Sequence, residues 1–76
     1  MTEQPKARVV ISSPPDRERL VAEIFFGDAQ WAEVLCEDGQ LLEVEHYPRP
    51  NGKPWRVPLA LAQEALATAA ERLRER

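Results

Sequence analysis

Tyr47-Pro48-Arg49-Pro50-Asn51-Gly52-Lys53-Pro54-Trp55-Arg56-Val57-Pro58 places two large aromatics among three cations, Arg49, Lys53 and Arg56. Those residue types can bind single-stranded nucleic acid. Tyr47 and Trp55 would stack on bases while the cations hold phosphates. A plainer use is preferred. Trp55 folds back onto the start of a following helix as a lid on the core, and Tyr47 packs on prolines, because a small domain needs its large aromatics for burial. The prolines remove backbone donors and fix φ, so the stretch is a stiff loop rather than strand or helix.

Other reactive types are sparse. His46 is the only histidine and Cys36 the only cysteine. Together they fall short of a zinc site, which takes three or four protein ligands. His46 has no evident Ser or Cys partner for nucleophilic catalysis. A free Cys36 on a core-facing strand position serves as a small hydrophobe. No glycine-rich phosphate loop occurs. The carboxylates show no spacing that singles out an acid/base pair. The chain therefore reads as a non-enzymatic binding protein with no catalytic residue, cofactor or metal.

Seventy-six residues make one domain. A domain this small buries only about 60% of its unfolded surface, so its stability margin is thin. A partner or a second copy could supply further burial. The net charge is −3 and the pI about 5.1. That balance weighs against broad binding to nucleic acid or anionic membranes. One cysteine permits no internal disulfide and suits a reducing compartment. Met1–Lys6 is polar, unlike a signal peptide, and no apolar run is long enough to span a membrane. A cytoplasmic protein is expected.

The elements that must position these residues can be read in outline. Residues 1–6 form a flexible tail, residues 8–47 antiparallel strands, residues 47–58 the proline-rich loop, and residues 58–76 a helix. Arg8-Val9-Val10-Ile11 is β-branched and strand-like. Ser12 to Arg19 is a polar connection. Leu20–Phe26, Gln30–Cys36 and Gln40–Tyr47 follow as strands. Gly27-Asp28-Ala29 and Glu37-Asp38-Gly39 separate them as three-residue hairpin loops. Ser13-Pro14-Pro15-Asp16 also resembles a helix start, which would put residues 14–25 in a helix. The strand is preferred, because Val21-Ala22-Glu23-Ile24 and Trp31-Ala32-Glu33-Val34 read as two arms of one hairpin. Leu59, Ala62, Leu66, Ala69 and Leu73, with Ala65 beside them, make an apolar helical stripe. Pro58 suits the first turn. Arg72, Arg74 and Arg76 suit the negative end of the helix dipole. The fold class is α+β, a four-strand antiparallel meander packed on one C-terminal helix in two layers.

Three-residue loops imply definite rows. Ile24, Ala32 and Val44 share one row of the core face, and Ala22, Val34 and Leu42 the next. The opposite face then carries Glu23, Glu33 and Glu43 in one row. Phe25, Trp31 and Glu45 flank it on one side, and Val21, Leu35 and Leu41 on the other. Like charges directly opposed destabilise a sheet. An acidic row beside exposed aromatics marks an interaction site. Glu23, Phe25, Trp31, Glu33, Glu43 and Glu45 are the candidate partner-binding residues. Tyr47, Arg49, Lys53, Trp55 and Arg56 are a secondary candidate surface.

The strings Ile11-Ser12-Ser13-Pro14-Pro15-Asp16-Arg17-Glu18, Val21-Ala22-Glu23-Ile24, Trp31-Ala32-Glu33 and Tyr47-Pro48-Arg49-Pro50-Asn51-Gly52-Lys53-Pro54-Trp55 resemble a family of small bacterial immunity proteins of polymorphic toxin systems. The resemblance covers most of the chain after residue 8. It implies a cytoplasmic protein that binds a cognate toxin domain and blocks its active site or substrate access. It carries over no catalytic residue. Three functions fit these residues. The first is a toxin inhibitor that meets a basic partner surface with Glu23, Glu33, Glu43, Phe25 and Trp31. The second is a nucleic-acid-binding regulator that uses the basic aromatic loop. The third is a homodimeric module that buries the sheet face against its own copy. The first is preferred, since opposite potentials speed encounter and set specificity.

Overall fold

The computed structural model describes residues 6–15, 19–36 and 41–75. The expected tail (but for Lys6), the Glu37-Asp38-Gly39 turn, Asp16 of the alternative helix start and Arg76 lie outside the described residues. Four strands form one sheet: β1 (Ala7–Ser12), β2 (Val21–Phe26), β3 (Ala29–Leu35) and β4 (Glu43–His46). They pair in chain order, β1-β2-β3-β4, and every pairing is antiparallel. One helix, α1 (Leu59–Arg74), crosses β1, β2 and β3 on one face. The two-layer α+β architecture read from the sequence is the one present. Val21–Phe26 is strand, which removes the alternative of a helix over residues 14–25. The β-branched and aromatic side chains there favour a pleated, half-buried surface.

Alternation along the strands builds the core. Ala22, Ile24 and Phe26 of β2 and Ala32 and Val34 of β3 meet Ala65 and Ala69 of α1. The alanines on both sides let the helix approach the sheet closely. Leu61, Ala62, Leu66 and Leu73 flank this contact, half-buried. Leu59 departs from the burial expected of the stripe and is 73% exposed. At 100° per residue it shares an edge of the stripe with half-buried Leu66, about 20° away, but it is the first residue of the helix and stands at the end of the contact. The helix opens at Pro58, whose carbonyl accepts from the Ala62 N–H at 3.0 Å, without a side-chain cap. At its other end Arg72 Nη1 donates to the Val9 carbonyl of β1 at 2.9 Å.

Two registers differ from those expected, each because of a connection length. Phe26 pairs with Ala29, so the first hairpin turns on two residues, Gly27 and Asp28. Gly27 has φ +64°, as a glycine-first two-residue turn requires. The pairing then slips by one between Ile24 and Phe25, where Ile24 faces Ala32 but Phe25 faces Gln30. Trp31 is the extra residue of this β-bulge. In the third pairing Leu35 faces Glu43 and Val34 faces Val44. The β3–β4 connection thus runs through residues 36–42 and is longer than a three-residue hairpin. As a result Val44 sits beside Val34 rather than in the row of Ile24 and Ala32. It is 45% exposed, because α1 does not reach β4.

Candidate functional site

The face of the sheet away from α1 carries the cross-strand rows that matter. They are Arg8–Phe25–Gln30, then Val10–Glu23–Glu33–Glu45, then the pairs Ser12–Val21 and Leu35–Glu43. Three glutamates on adjacent strands therefore do share a row. The β4 member is Glu45, not Glu43 as the three-residue loop implied. Glu43 lies one row away, opposite Leu35. Each pair of like charges directly opposed costs a few tenths to about 1 kcal/mol. Sheets that carry no other demand place a cation or a neutral side chain in such a row.

Exposure changes along the row. Glu33, in the middle, is 3% exposed, and its Oε2 is shielded from solvent. Burial of a carboxylate costs free energy that only polar contacts offset. Glu23 is half-buried, while Glu43 and Glu45 are exposed. The exposed negative charge of these rows thus concentrates toward the β4 side. At the β1 side the sign reverses, because Arg8 is exposed and holds its guanidinium 4.6 Å from the centre of the Phe25 ring. Phe25 lies half-buried beneath this cation. The Arg8 stack is local to the β1–β2 pairing, and only the register reveals it.

Trp31 is not part of this face. The β-bulge turns it into the core cluster, where it is 7% exposed. Its ring meets Phe26 edge-on, with centroids 5.1 Å apart, and His46 in the same manner at 5.4 Å. His46 lies across from Ala32, on the helix side, and is itself exposed. Cys36 is a half-buried free thiol just past β3. The partner-binding set expected from sequence thus loses Trp31 to the core and keeps Glu33 only as a buried member. Glu23, Phe25, Glu43 and Glu45 remain on the open face.

The basic loop is organised by its own backbone. Gly52 N–H donates to the Arg49 carbonyl at 3.0 Å, closing a turn with Pro50 second and Gly52 last. Asn51 Oδ1 accepts from Lys53 N–H at 2.9 Å. Trp55 packs half-buried against the core, and its Nε1 donates to the Tyr47 carbonyl at 2.9 Å. Its ring lies 6.2 Å from Phe26, with the Arg49 guanidinium 5.5 Å from its centre. Trp55 is thereby committed to the interior and to Arg49. Lys53 and Arg56 are exposed, and Tyr47 is half-buried. Phe26, Asp28, Arg49, Pro50 and Trp55 line a groove of about 340 Å³ between this loop and the first hairpin. The five loop residues grouped in the sequence do not form one flat aromatic-cationic surface.

Among the described residues no group of three His, Cys, Asp or Glu side chains is placed to hold a metal ion, and no helix is long and apolar enough to cross a membrane. No family model, curated protein or solved structure matches the chain.

Proposed function

We propose that this chain is a non-enzymatic binding protein that captures a basic protein domain at the acidic β4 margin of the sheet face away from α1. The observation that carries the reading is the exposure of Glu43 and Glu45 at the β4 margin of the face away from α1, with half-buried Glu23 in the same row as Glu45, while Val21, Glu33 and Leu35 between them are buried. Carboxylates gathered on adjacent strands present a negative potential that attracts a cationic partner. The resemblance to immunity proteins narrows the proposal. The partner is a cognate bacterial toxin domain, held in the cytoplasm at equal stoichiometry so that its active site or substrate access is blocked. Commitment of Trp55 to the core weighs against the nucleic-acid alternative, since a base-stacking platform needs a free aromatic face.

The test uses the product of a neighbouring toxin gene. Co-expression of the wild-type chain is expected to protect cells, and the purified pair to co-elute. Glu43→Lys/Glu45→Lys is expected to abolish both in a chain that still unfolds cooperatively. Full protection by that folded double variant overturns the reading.

A further inference from the structure

The two free edges of the sheet are treated differently. At β1, Arg72 from the end of α1 bonds the Val9 carbonyl, and the helix packs against the strand. At β4 no bond from α1 reaches the strand among the described residues. All four residues of β4 are exposed, and α1 makes no contact with it. The Tyr47 N–H donates to the Trp31 carbonyl at 3.0 Å, which fixes the phase of the edge. In an antiparallel pair, residues alternate between directing both backbone groups at the partner and directing both away. Glu43 and Glu45 are in step with Tyr47. Val44 and His46 therefore turn N–H and C=O outward. Pro48, next in that series, has no N–H, so the available edge ends there.

The side chains along this edge state what would fit it. On the open face stand the carboxylates of Glu43 and Glu45, both exposed. On the helix side stands Val44, 45% exposed, with half-buried Leu42 behind it. A second copy is a poor occupant. Two β4 strands joined about a two-fold at Val44 would set Glu43 of one against Glu45 of the other, and a two-fold at Glu45 would set Glu45 against its own copy. We infer that β4 accepts an extended strand from the basic partner, one that alternates Lys or Arg with apolar residues. Its cations would lie over Glu43 and Glu45, and its apolar side chains over the Val44 ledge. Backbone hydrogen bonds at Val44 and His46 would supply affinity, and the alternating side chains specificity. The inference rests on the acidic-face reading and adds the mode of engagement. An edge strand carrying charge is also how proteins deter unwanted pairing, so the discriminating quantity is the sign of the charge that binds.

The full chain, labelled with nitrogen-15, is titrated with a synthetic peptide alternating lysine and valine, and with a matched peptide alternating glutamate and valine. The lysine peptide is expected to shift and protect the Val44 and His46 amides, and the glutamate peptide to bind at least about tenfold more weakly. Val44→Pro removes one outward N–H and leaves every carboxylate in place. A proline is tolerated where an edge N–H faces solvent. It is expected to abolish the amide protection, and Glu43→Lys/Glu45→Lys to reverse the peptide preference without proline. Lysine-peptide binding that survives in folded Val44→Pro overturns the edge inference and leaves the acidic face standing. No preference for the lysine peptide overturns both. Protection of Val44 and His46 without peptide, in a sedimenting dimer, overturns the inference in favour of a second copy.

Discussion

Trp55 shows what a single side chain does here. Its indole closes the open end of the core beside Phe26 and ties the loop to β4 through the Tyr47 carbonyl. Trp55→Ala is expected to cost about 2–3 kcal/mol, below the roughly 3–5 of a fully buried large aromatic, because the ring is only half-buried. Urea unfolding of the purified variant checks this, and a midpoint equal to wild type contradicts the lid. Glu33 and Glu43 form an instructive pair. Lysine is longer than glutamate and Glu33 is enclosed, so Glu33→Lys is expected to cost about 1–3 kcal/mol by overpacking. Glu43 is exposed, and Glu43→Lys should stay within about 0.5 kcal/mol of wild type. Equal destabilisation of the two in the same urea titration would show that Glu33 is not enclosed. Charge reversal aimed at the proposed binding therefore belongs at exposed Glu43 and Glu45 rather than at enclosed Glu33.

At the scale of elements, the first hairpin decides which aromatic faces where. A two-residue turn at Gly27-Asp28 followed by a bulge at Trp31 moves one indole from the open face into the core. A three-residue loop without a bulge would have left Phe25 and Trp31 side by side on the surface. Gly27 makes the shorter turn possible through its φ of +64°. A Cβ built there meets no atom within 4 Å, so substitution is strained by the backbone alone. Gly27→Ala is expected to cost about 1–2 kcal/mol, the penalty for an L side chain in the left-handed region. Differential scanning calorimetry reads it as a lower melting temperature, and no change would mean that the turn lacks the positive φ.

At the scale of the whole molecule, the sheet face away from α1 carries opposite charges at its two margins. Arg8 stands at the β1 margin of the open face, and Glu43 and Glu45 at the β4 margin. Association with the proposed basic partner should therefore be steered. The on-rate is expected to fall by about tenfold or more from low salt to roughly 0.5 M, because screening shortens the reach of exposed charges. The off-rate, set by short-range contacts, should change much less. Stopped-flow measurement at several salt concentrations separates the two. An on-rate indifferent to salt removes steering by the acidic margin.

Local sequence determined the elements. Val9 to Ile11 and Val21 to Phe26 are β-branched or aromatic, the run from Leu59 to Leu73 has a helical period, and prolines bound the loop between sheet and helix. These signals act over a few residues and need no partner to be read. The meander on one helix follows from them, and so does an acidic row on the second face. Only the tertiary structure decided the membership of that row, the place of Trp31, the burial of Glu33 and the difference between the two edges. Each depends on register, and register depends on turn and connection lengths that single residues do not encode. A shift of one residue changes the face on which a side chain lies, as it did at Trp31. A shift of two keeps the face and changes the neighbours, which is how Glu45 came to stand where Glu43 was expected.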